Sequence, residues 1–242
     1  MSRPRALVPL VGIALFVVAW EAAVLISGTR LVPGPPAVAR ALVELLGRGL
    51  LVRYLVASLF RVTWGFLLAV VLAVPAGIAL GLSRRAEAAC NPLVQVLRPI
   101  SPLAWIPVAI LWFGVGDLAA IWLIFVASFF SLLVTVVRAV RDVDPVHRNA
   151  ARNFGLDRRR LVTRVIFPAI LPQLVVGLRL ALGVAWLVVV AAEMIAVNSG
   201  LGFLIVDARN AGNRYDLVVA GMVLIGVIGL CLDAGMRRLE RA

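Results

Sequence analysis

Four ionisable side chains lie inside long apolar stretches of this 242-residue chain: Arg61, Arg98, Arg179 and Glu193. A charge at membrane depth costs about 2.5–3.5 kcal/mol on insertion scales, so such side chains face protein or water rather than lipid. Two roles fit them equally well. They pair and so set the register of neighbouring helices, or they line a pathway for a polar solute.

The residue types needed for enzymatic chemistry are absent or scattered. A phosphate-binding loop requires a lysine after its glycines, and the sequence contains no lysine. The single histidine, His147, and the two cysteines do not form a metal-binding spacing, and no Ser-His arrangement suggests acyl transfer. We therefore predict no catalytic residue, no metal site and no cofactor. Any catalysis must belong to a partner chain.

The most distinctive polar segment covers residues 138–172 and contains eight of the 24 arginines. Asp144 is a good N-cap residue with Pro145 at the first helical position, and Gly155 is suited to end that helix in a left-handed conformation. The pattern predicts a helix of about ten residues. A segment this polar must lie in water, where a soluble protein can reach it.

One face of this predicted helix is small and apolar, with His147, Ala150, Ala151 and Phe154, while Asn149 belongs to the polar side. Two adjacent alanines would allow the backbone of a partner to come close. A second short helix is expected after the glycine, because Asp157 can cap it. We expect two prolines to end this second helix before the next span, and they are Pro168 and Pro172.

Transmembrane helices must position these residues. The chain is 63% hydrophobic, and several apolar runs exceed the roughly 20 residues that cross a ~30 Å hydrocarbon core. We predict an all-α fold, a polytopic transmembrane helical bundle of about six spans in a single domain over residues 1–242. The predicted spans cover about Ala6 to Ile26, Ser58 to Leu82, Pro92 to Phe113, Leu118 to Val137, Gln173 to Val197 and Leu217 to Met236. A short interfacial helix near residues 38–46 and a loop over 198–214 are expected between them.

The third predicted span contains Pro99, Pro102 and Pro107. Each proline removes a backbone donor, which a membrane helix tolerates only where protein or a water-filled cavity satisfies the freed carbonyl. This span is therefore expected to be buried in protein or to line a pathway.

The arginines set the orientation. With the N-terminus inside, two precede the first span, two follow the second, eight lie in the 138–172 segment and three lie at the C-terminus, against six on the opposite side. The positive-inside rule then places both termini and this segment in the cytoplasm. The formal charge of +12 follows from this asymmetry and does not indicate nucleic-acid binding.

At the polar segment the chain resembles the permease subunits of binding-protein-dependent ATP-binding-cassette importers. Their cytoplasmic signature is Glu-Ala-Ala, three residues, Gly, nine residues, Ile, any residue, Leu-Pro. Four positions match at the required spacing: Ala150, Ala151, Gly155 and Pro168. Three differ, with Asn149 in place of Glu, Val165 in place of Ile and Phe167 in place of Leu. Asn149 carries no charge for an ion pair with an ATPase.

The resemblance extends along most of the chain. In these parts the chain is similar to the subgroup that imports nitrate, sulfonates, taurine and related small anions. The same subgroup also includes importers of thiamine precursors. The resemblance is carried by Pro33-Gly34-Pro35, Ser58-Leu59-Phe60-Arg61-Val62, Arg98-Pro99-Ile100, Trp112-Phe113-Gly114, Gly177-Leu178-Arg179, Glu193-Met194 and Gly200-Leu201-Gly202. The resemblance implies an importer-permease (MetI-like) architecture with cytoplasmic coupling helices at about 141–170. The ATPase-coupling residues would be Asn149, Ala150, Ala151, Phe154, Gly155 and Pro168.

The resemblance also implies partners and a place in the cell. The expected partners are a cytoplasmic ATPase dimer, a periplasmic or lipid-anchored substrate-binding protein, and a second permease copy, as a homodimer in the bacterial inner membrane. The third to fifth spans would line the cavity between the copies, with Arg98, Pro102, Arg179 and Glu193 as pathway candidates. The alternative is an ion-gradient-driven secondary transporter, for which Glu193 is the deep carboxylate.

Overall fold

The computed structural model describes residues 4–28, 32–210 and 212–241, and every regular element in these ranges is a helix. Two arginines of the orientation argument, Arg3 and Arg30, lie outside the described residues, as do the side chains of Arg5, Arg152 and Arg241. The helices are α1 (Pro4–Ser27), α2 (Pro35–Gly47), α3 (Leu50–Leu82), α4 (Arg84–Leu97), α5 (Ile106–Phe113), α6 (Asp117–Asp142), α7 (Pro145–Asn153), α8 (Arg158–Leu161), α9 (Phe167–Ile195), α10 (Leu201–Asn210) and α11 (Tyr215–Arg241).

The prediction of about six spans holds only approximately. Among the described residues, four helical stretches are long and apolar enough to cross a membrane, and these are α3, α6, α8 continuing into α9, and α11. A fifth span results if α4 and α5, which meet at an angle of 86°, are counted together. The remaining predicted span corresponds to α1, whose described side chains form a shorter apolar helix, Val11–Ser27.

The third predicted span is wrong as a single helix. The chain leaves α4 at Arg98, passes through an extended Ser101, and forms a 3-10 turn over Pro102–Trp105 before α5 begins. Because Pro99 and Pro102 cannot donate to preceding carbonyls, a continuous helix would lose two hydrogen bonds within one turn. The prolines therefore break the span rather than only distorting it.

The prediction that Pro168 and Pro172 end the second cytoplasmic helix is also wrong. A π turn over Val162–Ile166 joins α8 to α9, so that helical structure continues from Arg158 to Ile195. Pro168 lies in the first turn of α9, and Pro172 lies inside that helix. A π turn shifts the hydrogen-bond pattern by one residue, which provides a path through a segment where proline donors are missing.

Two further boundaries differ from the sequence prediction. The loop expected over residues 198–214 contains the ten-residue helix α10. Helix α3 starts at Leu50 rather than near Ser58, because Gly49 with φ +68° turns the chain directly out of α2. Glycine adopts this left-handed conformation without steric cost, so no loop is needed between the two helices.

The centre of the bundle is formed by α3, α6 and α9, and glycines on α3 set the closest approach. A Cβ atom on Gly65, Gly77 or Gly81 would lie 2.7 Å from a side chain of α6. Such contacts explain why α3 and α6 pack over their whole length. The bundle has two ends, which we call the α10 end, where α2 and α10 lie, and the α7 end, where α7 and α8 lie.

Candidate functional site

The segment between α6 and α9 folds as the sequence predicts at its caps and its turn. The Asp144 carboxylate accepts a hydrogen bond from the Val146 N–H at 2.8 Å, and α7 begins at Pro145. Gly155 has φ +73°. The Asp157 carboxylate accepts from the Arg160 N–H at 3.1 Å at the start of α8. The predicted arrangement of helix, glycine turn and helix is therefore confirmed up to Leu161.

The predicted apolar face of α7 divides into a buried and an exposed part. Ala151 is 7% exposed and packs in the core cluster with Leu161 and Ile166. Phe154 is 84% exposed, and Val146, two helical turns earlier, is also exposed. Ala151 therefore attaches α7 to the bundle, and the surface that α7 offers to a partner includes Phe154 and Val146 instead.

The other positions of the importer signature are exposed or partly exposed. Asn149 is exposed, and Ala150 is partly exposed between the buried and the exposed edges of α7. Pro168 is exposed in the first turn of α9. Nothing within 4 Å would meet a Cβ atom on Gly155, so its left-handed backbone alone explains the glycine.

A buried polar network joins α3 to α9 near the α10 end. Glu193 is 0% exposed, and its carboxylate accepts hydrogen bonds from Arg61 Nη1 at 2.7 Å, from Ser58 Oγ at 2.9 Å and from the Gly202 N–H at 3.0 Å. The Ser58 hydroxyl oxygen in turn accepts from the Leu201 N–H at 3.0 Å. The network thereby fixes the first turn of α10 against α3 and α9.

Arg61 is the centre of this network. The sequence marked it as a costly charge within a span but did not include it among the pathway candidates. Arg61 is 2% exposed. Besides Glu193 it donates to Asp117, which is 56% exposed, with Nε at 2.8 Å from Oδ1, and to the main-chain oxygen of Ser199 at 2.7 Å. The sequence contained a usable signal, since Arg61 and Glu193 each lie about one turn from the same predicted membrane edge.

Arg179 and Glu193 do not pair with each other. They are 14 residues apart on α9, a separation of about 21 Å along a helix axis. Arg179 instead donates to Asp233 at 2.6 Å and to Glu240 at 3.1 Å, both on α11. This pairing attaches α11 to α9, which is the structural role that the sequence left open for Arg179.

Arg98 and Pro102 are the two pathway candidates that line cavities. Arg98 lies at the break after α4 and borders a cavity of about 650 Å³ at the α7 end. It also borders a smaller cavity of about 180 Å³ in the middle of the bundle, which Pro102 lines as well. Among the described residues Arg98 has no hydrogen-bond or ion-pair partner.

A separate ionic cluster lies outside the spans at the α10 end. Arg214 donates to Glu44 on α2 at 2.7 Å and to Asp216 at 2.9 Å. The hydrogen bond from Arg214 holds the pKa of Glu44 below its ordinary value, and the two carboxylates raise the pKa of Arg214. The cluster connects α2 to the start of α11.

Comparison with protein families places residues 65–242 in a model described as the inner membrane component of binding-protein-dependent transport systems. Curated relatives cover most of the chain. A putative ABC transporter permease of Methanocaldococcus jannaschii is 41% identical over 233 residues, which is 94% of this chain and 87% of the relative. The taurine transport system permease of Escherichia coli is 38% identical over 78% of this chain and 68% of its own length. The bicarbonate transport system permease of Synechococcus elongatus is 36% identical over 97% and 88%.

Solved structures share the fold. The inward-facing methionine ABC transporter MetNI superposes with a TM-score of 0.71 at 20% identity, covering 79% of this chain and 95% of that chain. A bacterial ABC transporter involved in the import of the acidic polysaccharide alginate has a TM-score of 0.67 at 17% identity, covering 99% and 93%. The helix arrangement described above is therefore shared by chains with little sequence in common.

Proposed function

This chain belongs to the family of inner-membrane components of binding-protein-dependent transport systems, and from that premise we propose that it forms the translocation pathway for a small anionic solute. Members of this family are the non-catalytic membrane subunits of ABC importers, which act together with an ATPase and a substrate-binding protein. Family membership excludes the alternative that the chain is an ion-gradient-driven secondary transporter.

The anionic substrate class is supported by the relatives and by the charges of the chain. The names of three relatives refer to taurine, bicarbonate and aliphatic sulfonates, at 36–38% identity. The observation that carries the proposal is Arg98, a guanidinium that has no partner among the described residues and borders both cavities. The second candidate is a neutral or cationic small organic solute, such as a thiamine-precursor pyrimidine, and Arg98 disfavours it because a free cation attracts anions.

We propose alternating access between two copies of this chain, driven by an ATPase dimer at the α7 end. ATP binding would close the ATPase subunits and move the two α7 helices together, and hydrolysis would reset them. The switch requires that α7 makes different contacts in the two states. Exposed Phe154 and Asn149 and partly exposed Ala150 would touch the ATPase, whereas Ala151, Gly155 and Pro168 would hold α7 in place.

We also propose an orientation of the permease in the membrane. The α7 end would face the cytoplasm, since eight arginines lie between residues 138 and 164. The α10 end would then face the binding protein. Both termini would also be cytoplasmic, since six predicted spans put the two ends of the chain on the same side of the membrane and the arginine distribution makes that side the cytoplasm.

The test uses the complete transporter. The binding protein encoded beside this chain is purified, and the solute that it retains is identified by mass spectrometry. Proteoliposomes that contain the permease, its ATPase and this binding protein should then accumulate that solute, a small anion, only when ATP is supplied. A solute without a sulfonate, carboxylate or other oxyanion group would refute the substrate class. Uptake without the ATPase would refute the proposed energy source.

A further inference from the structure

The cavity at the α7 end carries an excess of positive charge. It lies between the last turns of α3, the helix α4 and the second half of α6, with a volume of about 650 Å³. Its lining includes three arginines and one glutamate, with two amide side chains, and these are Arg98, Arg138, Arg141, Glu87, Asn91 and Gln95. No other acidic residue among those the structure describes lines it.

Two of the three guanidinium groups are free. Arg141 forms an ion pair with Glu87, which neutralises both charges. Arg98 and Arg138 have no hydrogen-bond or ion-pair partner among the described residues. A guanidinium presents five N–H donors in a planar fork that matches the geometry of carboxylate, sulfonate and phosphate oxygens. The cavity thus offers two guanidinium groups whose N–H donors are free to bind an anion.

The polar lining follows a regular stripe along α4. Glu87, Asn91, Gln95 and Arg98 recur at intervals of three or four residues, which places them on one face of the helix. A polar stripe on a helix at membrane depth faces protein or water rather than lipid. Here it faces α6 across the cavity, so α4 lines water-accessible space between the two helices.

Both cavities follow one face of α6. The smaller cavity borders Ala127 and Ser131, and the larger one borders Val134, Arg138 and Arg141. These five residues again recur at three or four residues and span about 21 Å of helix. Arg98 borders both cavities. The free guanidinium at the helix break therefore stands between the middle of the bundle and its α7 end.

We propose that the larger cavity is a binding site for a small oxyanion, held between Arg98 and Arg138 on the release side of the pathway. The inference rests on the proposed function, because it names a binding site for the same anionic solute along its pathway. Two N–H forks that converge on one oxyanion provide charge-assisted hydrogen bonds. The volume accommodates a sulfonate or a bicarbonate together with water.

An oxyanion can come from solution or from a lipid headgroup. The continuation of the polar face toward the middle of the bundle favours a solute, because a lipid phosphate stays at the membrane surface. The experiment therefore compares a free sulfonate with an anionic lipid, using the assembled complex of permease and ATPase in vesicles of defined composition.

Cys90 lines the same cavity and is exposed, so it reports directly on the electrostatic potential there. Replacing Cys231, the second cysteine of the permease, with serine leaves Cys90 as its only thiol. Two methanethiosulfonate reagents are compared in nucleotide-free complex, one with an anionic ethylsulfonate group and one with a cationic ethyltrimethylammonium group. The ratio of their rates cancels any change in the reactivity of the thiol itself.

We expect the ratio of the anionic to the cationic reaction rate to be about tenfold higher at Cys90 than at a free thiol in solution, because two uncompensated cations attract the anionic reagent. Arg98→Gln and Arg138→Gln should each reduce this preference, and the double variant should abolish it. Arg98→Lys keeps the charge and should keep the preference. Arg84→Gln is the matched control, since Arg84 lies on α4 outside the cavity lining, and it should change nothing.

Binding is measured as protection of Cys90 in neutral phosphatidylcholine vesicles. Ethanesulfonate or taurine at millimolar concentration should slow the anionic reagent, because a bound sulfonate occupies the cavity and offsets its positive charge, with sodium chloride at equal ionic strength as the control. Arg98→Gln should lose this protection. Protection by phosphatidylglycerol alone would assign the cavity to a lipid headgroup and overturn the solute site.

Other outcomes separate this inference from the proposed function. The oxyanion site would be overturned if neither reagent modified Cys90. It would also be overturned if the rates of the two reagents, each divided by its rate with a free thiol, were equal. Either result would count even if ATP-driven anion uptake is normal. Charge preference and sulfonate protection in a complex that transports a solute without any anionic group would keep the site and refute the proposed substrate class.

Discussion

Arg61 Nη1 lies 2.7 Å from Glu193 Oε1, and both side chains are almost completely buried. This ion pair joins α3 to α9 at the α10 end. Because Glu193 also accepts the Gly202 N–H, the same carboxylate positions α10. The pair therefore organises one end of the bundle and leaves neither charge facing an open pathway.

Removing Glu193 should destabilise the permease strongly. Glu193→Ala leaves a buried guanidinium, a serine hydroxyl and a backbone N–H without their acceptor, and removal of one partner of a buried pair costs about 3–5 kcal/mol. Asp117→Asn is the matched control, since the more exposed partner of Arg61 should cost at most about 1 kcal/mol. Free energies of unfolding in mixed detergent micelles give the comparison. Equal losses would contradict the central role of Glu193.

Gly202→Ala should separate α10 from α9. A Cβ atom there would overlap the main-chain oxygen of Val190 and touch Glu193, so the first turn of α10 must move and its hydrogen bond to Glu193 must weaken. Gly183→Ala on α9 is the control, because nothing within 4 Å would meet its Cβ atom. Amide hydrogen exchange should accelerate in α10 only in the first variant. Unchanged protection there would refute the packing argument.

The coupling surface should depend on Phe154. Phe154→Ala removes an exposed aromatic ring and should reduce co-purification of the ATPase, without loss of permease stability, because the side chain is 84% exposed. Gly155→Val should uncouple transport as well, since a β-branched residue resists the left-handed conformation by about 1–2 kcal/mol. Asn149→Glu restores the residue that the resembled family carries and should be tolerated. ATPase activity stimulated by loaded binding protein is the measurement.

Ala151→Glu separates attachment of α7 from contact with the ATPase. Ala151 is buried against the core, so a glutamate there should lower permease stability as well as coupling. Phe154→Ala should lower coupling alone. If Ala151→Glu abolished ATPase binding at full permease stability, Ala151 would have to face the ATPase instead of the bundle.

The orientation can be tested with single cysteines in a Cys90→Ser, Cys231→Ser background. Arg158→Cys should react with a membrane-impermeant thiol reagent only from the cytoplasmic side, and Asn210→Cys only from outside. Both positions are exposed in the structure. Labelling of residue 158 in intact cells would reverse the proposed orientation.

The Glu44–Arg214 pair should lose its effect in acid. Since Arg214 lowers the pKa of Glu44 in the folded protein, the stabilisation is complete above the ordinary carboxyl pKa and disappears as the pH falls through the lowered value. Protection of α2 amides, corrected for intrinsic exchange, should fall over that acidic window. Arg214→Gln should weaken the pH dependence, with Arg48 as the remaining ion-pair partner of Glu44, and an unchanged pH dependence in that variant would implicate another group.

Much of the fold follows from local patterns in the sequence. Apolar run length and the distribution of arginines predicted a helical membrane domain, because burial of backbone donors in lipid permits little else. The caps at Asp144 and Asp157 and the turn at Gly155 were also predictable, since each depends on hydrogen bonds or a backbone conformation within a few residues.

The partners of Arg61, Arg179 and Glu193 were decided only by the tertiary structure. The sequence marked Arg179 and Glu193 as costly, but the spacing of residues along one chain does not show which helices become neighbours. The packing of α3, α6 and α9 assigned Arg61 to Glu193, and the packing of α11 assigned Asp233 to Arg179. Distances across helices determine these pairs. The depth of Arg61 and Glu193 in their predicted spans is compatible with their pairing but does not show that α3 and α9 are neighbours.

The proline segments and α7 illustrate the same division. The sequence identified residues that a straight helix cannot contain, but whether Pro99 breaks a span or Pro172 is absorbed depends on the hydrogen bonds that neighbouring elements leave free. Ala151 and Phe154 looked alike on the predicted apolar face of α7. Only the position of α7 against the bundle buried one and exposed the other, because burial depends on what the folded chain places beside each side chain.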